Sequence, residues 1–144
     1  MSRGEPARSL ALKLVLAPVL VAQAVATRRR APSLPEAEGP REGRLGRGDP
    51  ALRLLIAGDS SAAGVGVARQ DQALAGHLSR ALHRALAPPL QWSLRARSGF
   101  TTQQVFALLR EQPLPAADVA VVVTGVNDVI DQIPLRRALA QRAA

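Results

Sequence analysis

Apolar positions along the second part of the chain fall into runs of two kinds. Leu52 to Ala57 is a short apolar run broken only by Arg53 and closed by Gly58, the pattern of a buried strand before a tight turn. Leu90 to Arg97 alternates Leu90, Trp92, Leu94 and Ala96 with polar residues, as a half-buried strand does. Val119 to Val123 is uninterrupted and predicts a parallel strand covered on both faces. Between them the period changes to that of a helix. Leu74, Leu78, Leu82 and Leu86, with Ala75, Ala81 and Ala85, share one face behind Asp71 as a candidate N-cap, and Pro88-Pro89 stops the run. Val105, Leu108 and Leu109 mark a second helix capped by Thr101 or Thr102 and ended before Pro113, and Pro134 opens a third through about Gln141. Strand and helix alternate with short connections, so the expected class is α/β with a parallel sheet. The first strand is expected between the other two.

The first 50 residues read differently. Residues 10 to 26 form an apolar run interrupted by Lys13, Pro18 and Gln23, shorter and less pure than the ~20 apolar residues a membrane span needs. A basic flank and the small-residue pattern Ala22-Gln23-Ala24 fit a signal peptide, while Arg28-Arg29-Arg30 directly behind it opposes export. Signal peptide, packed or membrane-surface helix over residues 10–30, and anchor stand side by side, so compartment stays open. Residues 31 to 50 alternate four prolines with four glycines and keep no apolar period, which reads as a linker. The expected division is therefore 1–50 as apolar segment plus linker and 51–144 as folded domain.

Composition narrows the chemistry. There is no cysteine, which excludes disulfides and thiolate chemistry. The net charge of +8 is shared evenly, nine basic and five acidic residues in 1–50 against ten and six in 51–144. Evenly spread charge with 2% aromatic residues argues against a nucleic-acid partner.

Open parallel sheets place their sites at the carboxyl ends of strands. That rule singles out Gly58-Asp59-Ser60, Ser98-Gly99 and Gly125-Val126-Asn127-Asp128. Singly, each is an ordinary turn in which Asp59 and Asp128 bond backbone and Gly58, Gly99 and Gly125 serve the bend. Together they supply a hydroxyl, an N–H with no side chain in its way and a carboxamide. Acyl transfer needs that set: a nucleophile and fixed donors for the developing oxyanion.

Gly58-Asp59-Ser60 followed by Gly64 resembles the first block of the SGNH/GDSL hydrolases, with Ser61 where leucine is usual. Ser98-Gly99-Phe100-Thr101-Thr102 resembles their second block and Gly125-Val126-Asn127-Asp128 their third. The resemblance implies a flavodoxin-like three-layer α/β/α fold, incomplete at the C-terminus, and a small ester or acyl substrate without cofactor or metal. It also implies Ser60 as nucleophile, with the Ser60 N–H, the Gly99 N–H and the Asn127 side chain as oxyanion donors. Gly58, Asp59, Gly125 and Asp128 would support the turns.

One block is missing. The family's Asp-x-x-His supplies the general base, and no histidine follows His83. His77 and His83 lie 240° apart on a helical wheel and read as surface residues. A serine esterase lacking its base through truncation, and a non-catalytic member that keeps the oxyanion pocket, are the two competing readings. A dinucleotide fingerprint fails, because Arg69 stands where the third glycine would follow Gly64-Val65-Gly66.

Overall fold

The structure is a computed structural model that describes residues 34–87, 89–111 and 113–142, together with positions 16–19, 22, 23 and 26. Residues 1–33 form a unit of their own, in which the described positions are helical. The rest of the apolar run and the arginine cluster lie outside the described residues. No helix among the described residues is long and apolar enough to cross a membrane.

The second unit is built on a four-stranded mixed sheet in the order β1-β3-β2-β4. Its strands are β1 (Glu42–Leu45), β2 (Leu52–Gly58), β3 (Leu90–Ala96) and β4 (Val119–Val123). β2 pairs in parallel with β3 from Leu52↔Leu90 to Gly58↔Ala96, and with β4 from Leu54↔Val119 to Gly58↔Val123. The first apolar run is thus the central strand, flanked as expected by the other two. Leu54, Ile56, Leu90, Trp92 and Leu94 cluster with Ala75 on one face, with Leu74, Leu78 and Leu82 packed against them. The alternate residues Leu55, Ala57 and Ser93 are also buried, as a sheet covered on both sides requires.

The helices are α1 (Ser60–Ala63), α2 (Leu74–Leu86), α3 (Thr102–Glu111), α4 (Val126–Ile130) and α5 (Leu135–Arg142). Asp71 does not cap α2. It sits in a separate 3₁₀ turn, Gln70–Gln72, and the N-cap is Ala73 without a side-chain bond. The packed face of α2 is also rotated from the leucine stripe: Ala75, Gly76 and Ser79 are buried, whereas Ala81 and Ala85 are exposed. Small residues let the helix backbone come close to the 3₁₀ turn, Leu74, Leu78 and Leu82 are left half-buried beside it, and Leu86 is exposed.

Residues 34–45 overturn the linker reading. β1 pairs antiparallel with β3, Glu42↔Ser93 to Leu45↔Leu90, so the sheet is mixed and not all-parallel. The preceding residues are tied in through the main chain: Ala37 N–H donates to Ala63 O, Glu38 N–H to Ala68 O and Gln70 N–H to Glu38 O. The buried Gln70 side chain adds bonds to the carbonyls of Ala37 at 3.1 Å and Ala63 at 2.9 Å. A folded segment therefore begins well before residue 51.

Val119–Val123 is also less covered than its composition implies. Val119 is 44% and Val122 46% exposed, because β4 is the last strand of the sheet.

Candidate active site

The register of the three parallel strands decides where the turns lie. Gly58 is level with both Ala96 and Val123, so the chain leaves β2, β3 and β4 at the same height. Two further bonds extend the ladder into the turns: Asp59 N–H to Val123 O at 3.1 Å and Arg97 N–H to Gly58 O at 3.1 Å. Ser60, Gly99 and Asn127 consequently share the carboxyl edge of the sheet.

Gly58 is where the first turn meets β4. A Cβ there would lie 2.3 Å from the Val123 carbonyl oxygen and 2.8 Å from Ala62 Cβ. The chain then bends at Asp59, which is 1% exposed and accepts from the Ser61 N–H at 3.0 Å as N-cap of α1. Ser60 is the first helical residue and half-buried. First-turn N–H groups have no intrahelical acceptor, and among the described residues the Ser60 N–H has none elsewhere.

The second turn runs Arg97-Ser98-Gly99-Phe100 and closes with Phe100 N–H to Arg97 O at 3.4 Å. Gly99 has φ +81°, which a residue with a side chain rarely adopts, while a Cβ at that position would meet nothing within 4 Å. Glycine is needed here for backbone conformation, not for space. Gly99 is exposed, and its N–H is unbonded among the described residues. Thr101 then starts α3 with a reciprocal cap: its N–H donates to Gln104 Oε1 at 2.9 Å and its Oγ1 accepts from the Gln104 N–H at 3.4 Å.

The third turn binds the second. Gly125 has φ +125° at the N-cap of α4, a short helix absent from the sequence reading. Asn127 donates Nδ2 to the Phe100 carbonyl at 2.9 Å, which leaves its second amide hydrogen unassigned. Asp128 is 3% exposed and reaches across to α3, accepting from the Thr102 N–H at 2.8 Å and hydroxyl at 2.5 Å. It supports the neighbouring turn and not its own.

The histidines are elsewhere. His77 is exposed, on the side of α2 away from Ala75 and Ser79. His83 lies by Gly46, its Cε1 3.2 Å from where a Gly46 Cβ would be. Gly46 follows Leu45, which pairs with the first residue of β3. That is the amino edge of the sheet, a seven-residue strand or ~20 Å from the Ser60 turn. Among the described residues no cluster of three or more His, Asp or Glu side chains is placed to hold a metal.

A sequence model of the GDSL-like lipase/acylhydrolase family matches residues 56–143. The chain belongs to that family. The crystal structure of AlinE4, an SGNH-hydrolase family esterase, superposes on this GDSL chain with a TM-score of 0.57 at 23% identity. The match covers 68% of this chain and 52% of that one, so this chain spans about half the neighbour's length. An aspartate-to-alanine mutant of the same esterase gives the same figures. These likenesses establish the fold, an α/β sheet of the SGNH-hydrolase kind. No curated protein matches the chain.

Proposed function

We propose that this GDSL chain carries the nucleophile-and-oxyanion half of a serine acyl hydrolase acting on small esters. Ser60 Oγ is the attacking group. The Ser60 N–H, the Gly99 N–H and the second Asn127 amide hydrogen receive the oxyanion. The observation that carries this reading is the shared edge of the three turns, with two backbone N–H groups that have no acceptor among the described residues and Asn127 bonded to the turn that holds Gly99. Donors fixed by the fold need no reorganisation as charge develops, and each contributes about 10²–10³ in rate.

In the reaction, the Ser60 oxygen adds to the ester carbonyl and its proton passes to a general base. The tetrahedral oxyanion collapses with loss of the alcohol, and water then releases the acid. No histidine follows His83, and neither histidine present adjoins Ser60. Neither histidine is therefore assigned as the base. A second reading rests on that same observation: a binding module that keeps the oxyanion pocket without turnover.

The experiment compares p-nitrophenyl acetate hydrolysis by the 144-residue chain with that by the chain joined to the Asp-x-x-His-bearing half of a GDSL relative. The expectation is near-background turnover in the first and Ser60-dependent turnover in the second. Robust hydrolysis by the first, surviving Ser60→Ala and lost in His77→Ala, would overturn the assignment.

A further inference from the structure

The Ser98-Gly99 turn is held from outside its own blocks. Ser98 N–H donates to Glu36 Oε1 at 2.6 Å, across 62 residues of sequence. The other oxygen of the same carboxylate, Oε2, is paired with Arg41 Nη2. Arg41 in turn donates Nη1 to the Ala96 carbonyl at 2.6 Å, and its own carbonyl accepts from the Leu94 N–H at 2.7 Å. One carboxylate and one guanidinium thus brace the end of β3 and the turn that follows it. The Arg41 bonds are part-buried, with Glu36 28% and Arg41 39% exposed at the side chain, while the Glu36 bond to the Ser98 N–H faces solvent.

We infer that Glu36 is a positioning residue for the oxyanion site. It holds the Ser98 N–H so that the next N–H, that of Gly99, stays aimed over the carboxyl edge. Resting on the reading of that edge as an acyl-transfer site, the inference adds a residue from the segment outside the family match, which starts at residue 56. The physical case is local. Gly99 sits at φ +81° with nothing within 4 Å of its Cβ direction, so no side chain packs against that side of the turn. The Phe100 N–H to Arg97 O bond that closes it is long, at 3.4 Å. The charge-assisted Glu36 bond is the shorter and stronger of the two. A donor that drifts by about 1 Å loses about 10²-fold of its effect, so a turn tethered in this way is worth more to the site than its bonds are to the fold. Arg41 acts one step further back, by fixing the Glu36 carboxylate.

The test uses the full 144-residue chain, ¹⁵N-labelled, as wild type and as Glu36→Ala, Glu36→Gln and Asn127→Ala. Two quantities are read: amide exchange at Ser98 and Gly99, and affinity for O-methyl butylphosphonate, an anion tetrahedral at phosphorus that mimics the acyl-transfer intermediate. Glu36→Ala is expected to speed Ser98 exchange at least about tenfold while β2 and β4 amides keep their protection, and to weaken the phosphonate about tenfold. Glu36→Gln keeps an acceptor for the Ser98 N–H and is expected to recover most of both. If Asn127→Ala weakens the phosphonate and Glu36→Ala does not, the positioning role is wrong and the oxyanion reading stands. If wild type does not bind the phosphonate, the oxyanion reading falls and the inference with it. Loss of protection throughout the sheet in Glu36→Ala would make the brace structural and also overturn the inference.

Discussion

Asp128 grips Thr102 twice, through the backbone N–H at 2.8 Å and the hydroxyl at 2.5 Å, and both residues are buried. A carboxylate from the third turn therefore caps the helix that follows the second, and α3 cannot shift without moving α4. Negative charge at a helix N-terminus is favourable, and the bond to the N–H satisfies a donor the helix itself cannot.

Removing this grip should weaken the fold. Asp128→Ala leaves the Thr102 N–H and hydroxyl buried without acceptors, at a cost of about 2–4 kcal/mol for two bonds to a charged group. Thr102→Val should cost about 1–3 kcal/mol, and Thr102→Ser almost nothing. Urea midpoints measure all three. An Asp128→Ala chain as stable as wild type would show that the clamp contributes nothing.

Two turn glycines should respond differently to alanine. At Gly58 the added methyl meets the Val123 carbonyl at 2.3 Å, so β2 and β4 must separate, and the overpacking cost should reach or exceed about 3 kcal/mol. At Gly99 there is room but φ is +81°, so the cost should be near 1–2 kcal/mol of backbone strain. Thermal melts give the order. Equal losses would mean that the close approach at Gly58 relaxes freely.

Neither histidine should matter to the site. His83 stands at the opposite edge of the sheet and His77 faces outward from α2. His77→Ala and His83→Ala should leave affinity for O-methyl butylphosphonate within about twofold of wild type, since His83 lies a strand's length from the three turns and His77 is exposed on the outer side of α2. A large loss in His77→Ala would move α2 into the site.

β4 should drive self-association. It is the last strand of the sheet, its outer edge carries no paired strand among the described residues, and Val119 and Val122 are both more than two-fifths exposed. Unprotected apolar edges pair with other chains. Val122→Lys should therefore shift sedimentation toward monomer across a concentration series. A wild-type chain monomeric throughout would contradict this.

Where hydrophobic periodicity carried the information, the sequence was legible: β2, β3 and β4 fall where the apolar runs lie, and the three turns at their ends come together as the topology requires. What it hid was polar. Glu36, Arg41 and β1 lie among prolines and glycines and are held by main-chain bonds and one ion pair, none of which leaves a periodic trace. Asp128 looked like a turn residue because its partner, Thr102, is 26 positions away. On α2 the leucine stripe marks the packed side, with Leu74, Leu78 and Leu82 against the core, but the buried positions are Ala75, Gly76 and Ser79, which leucine spacing does not single out. A glutamate in a proline-glycine stretch that pairs with an arginine five residues on was the one available clue to the brace.

On the acyl-transfer reading, three donors from three turns converge on one oxygen. The most direct measurement follows the Ser60 N–H, the Gly99 N–H and the Asn127 side-chain amide by ¹⁵N chemical shift during titration with O-methyl butylphosphonate. All three signals should move along a single binding curve, while the amides of β1 and the amino end of the sheet stay still. Movement of one donor alone, or three curves with different midpoints, would contradict it.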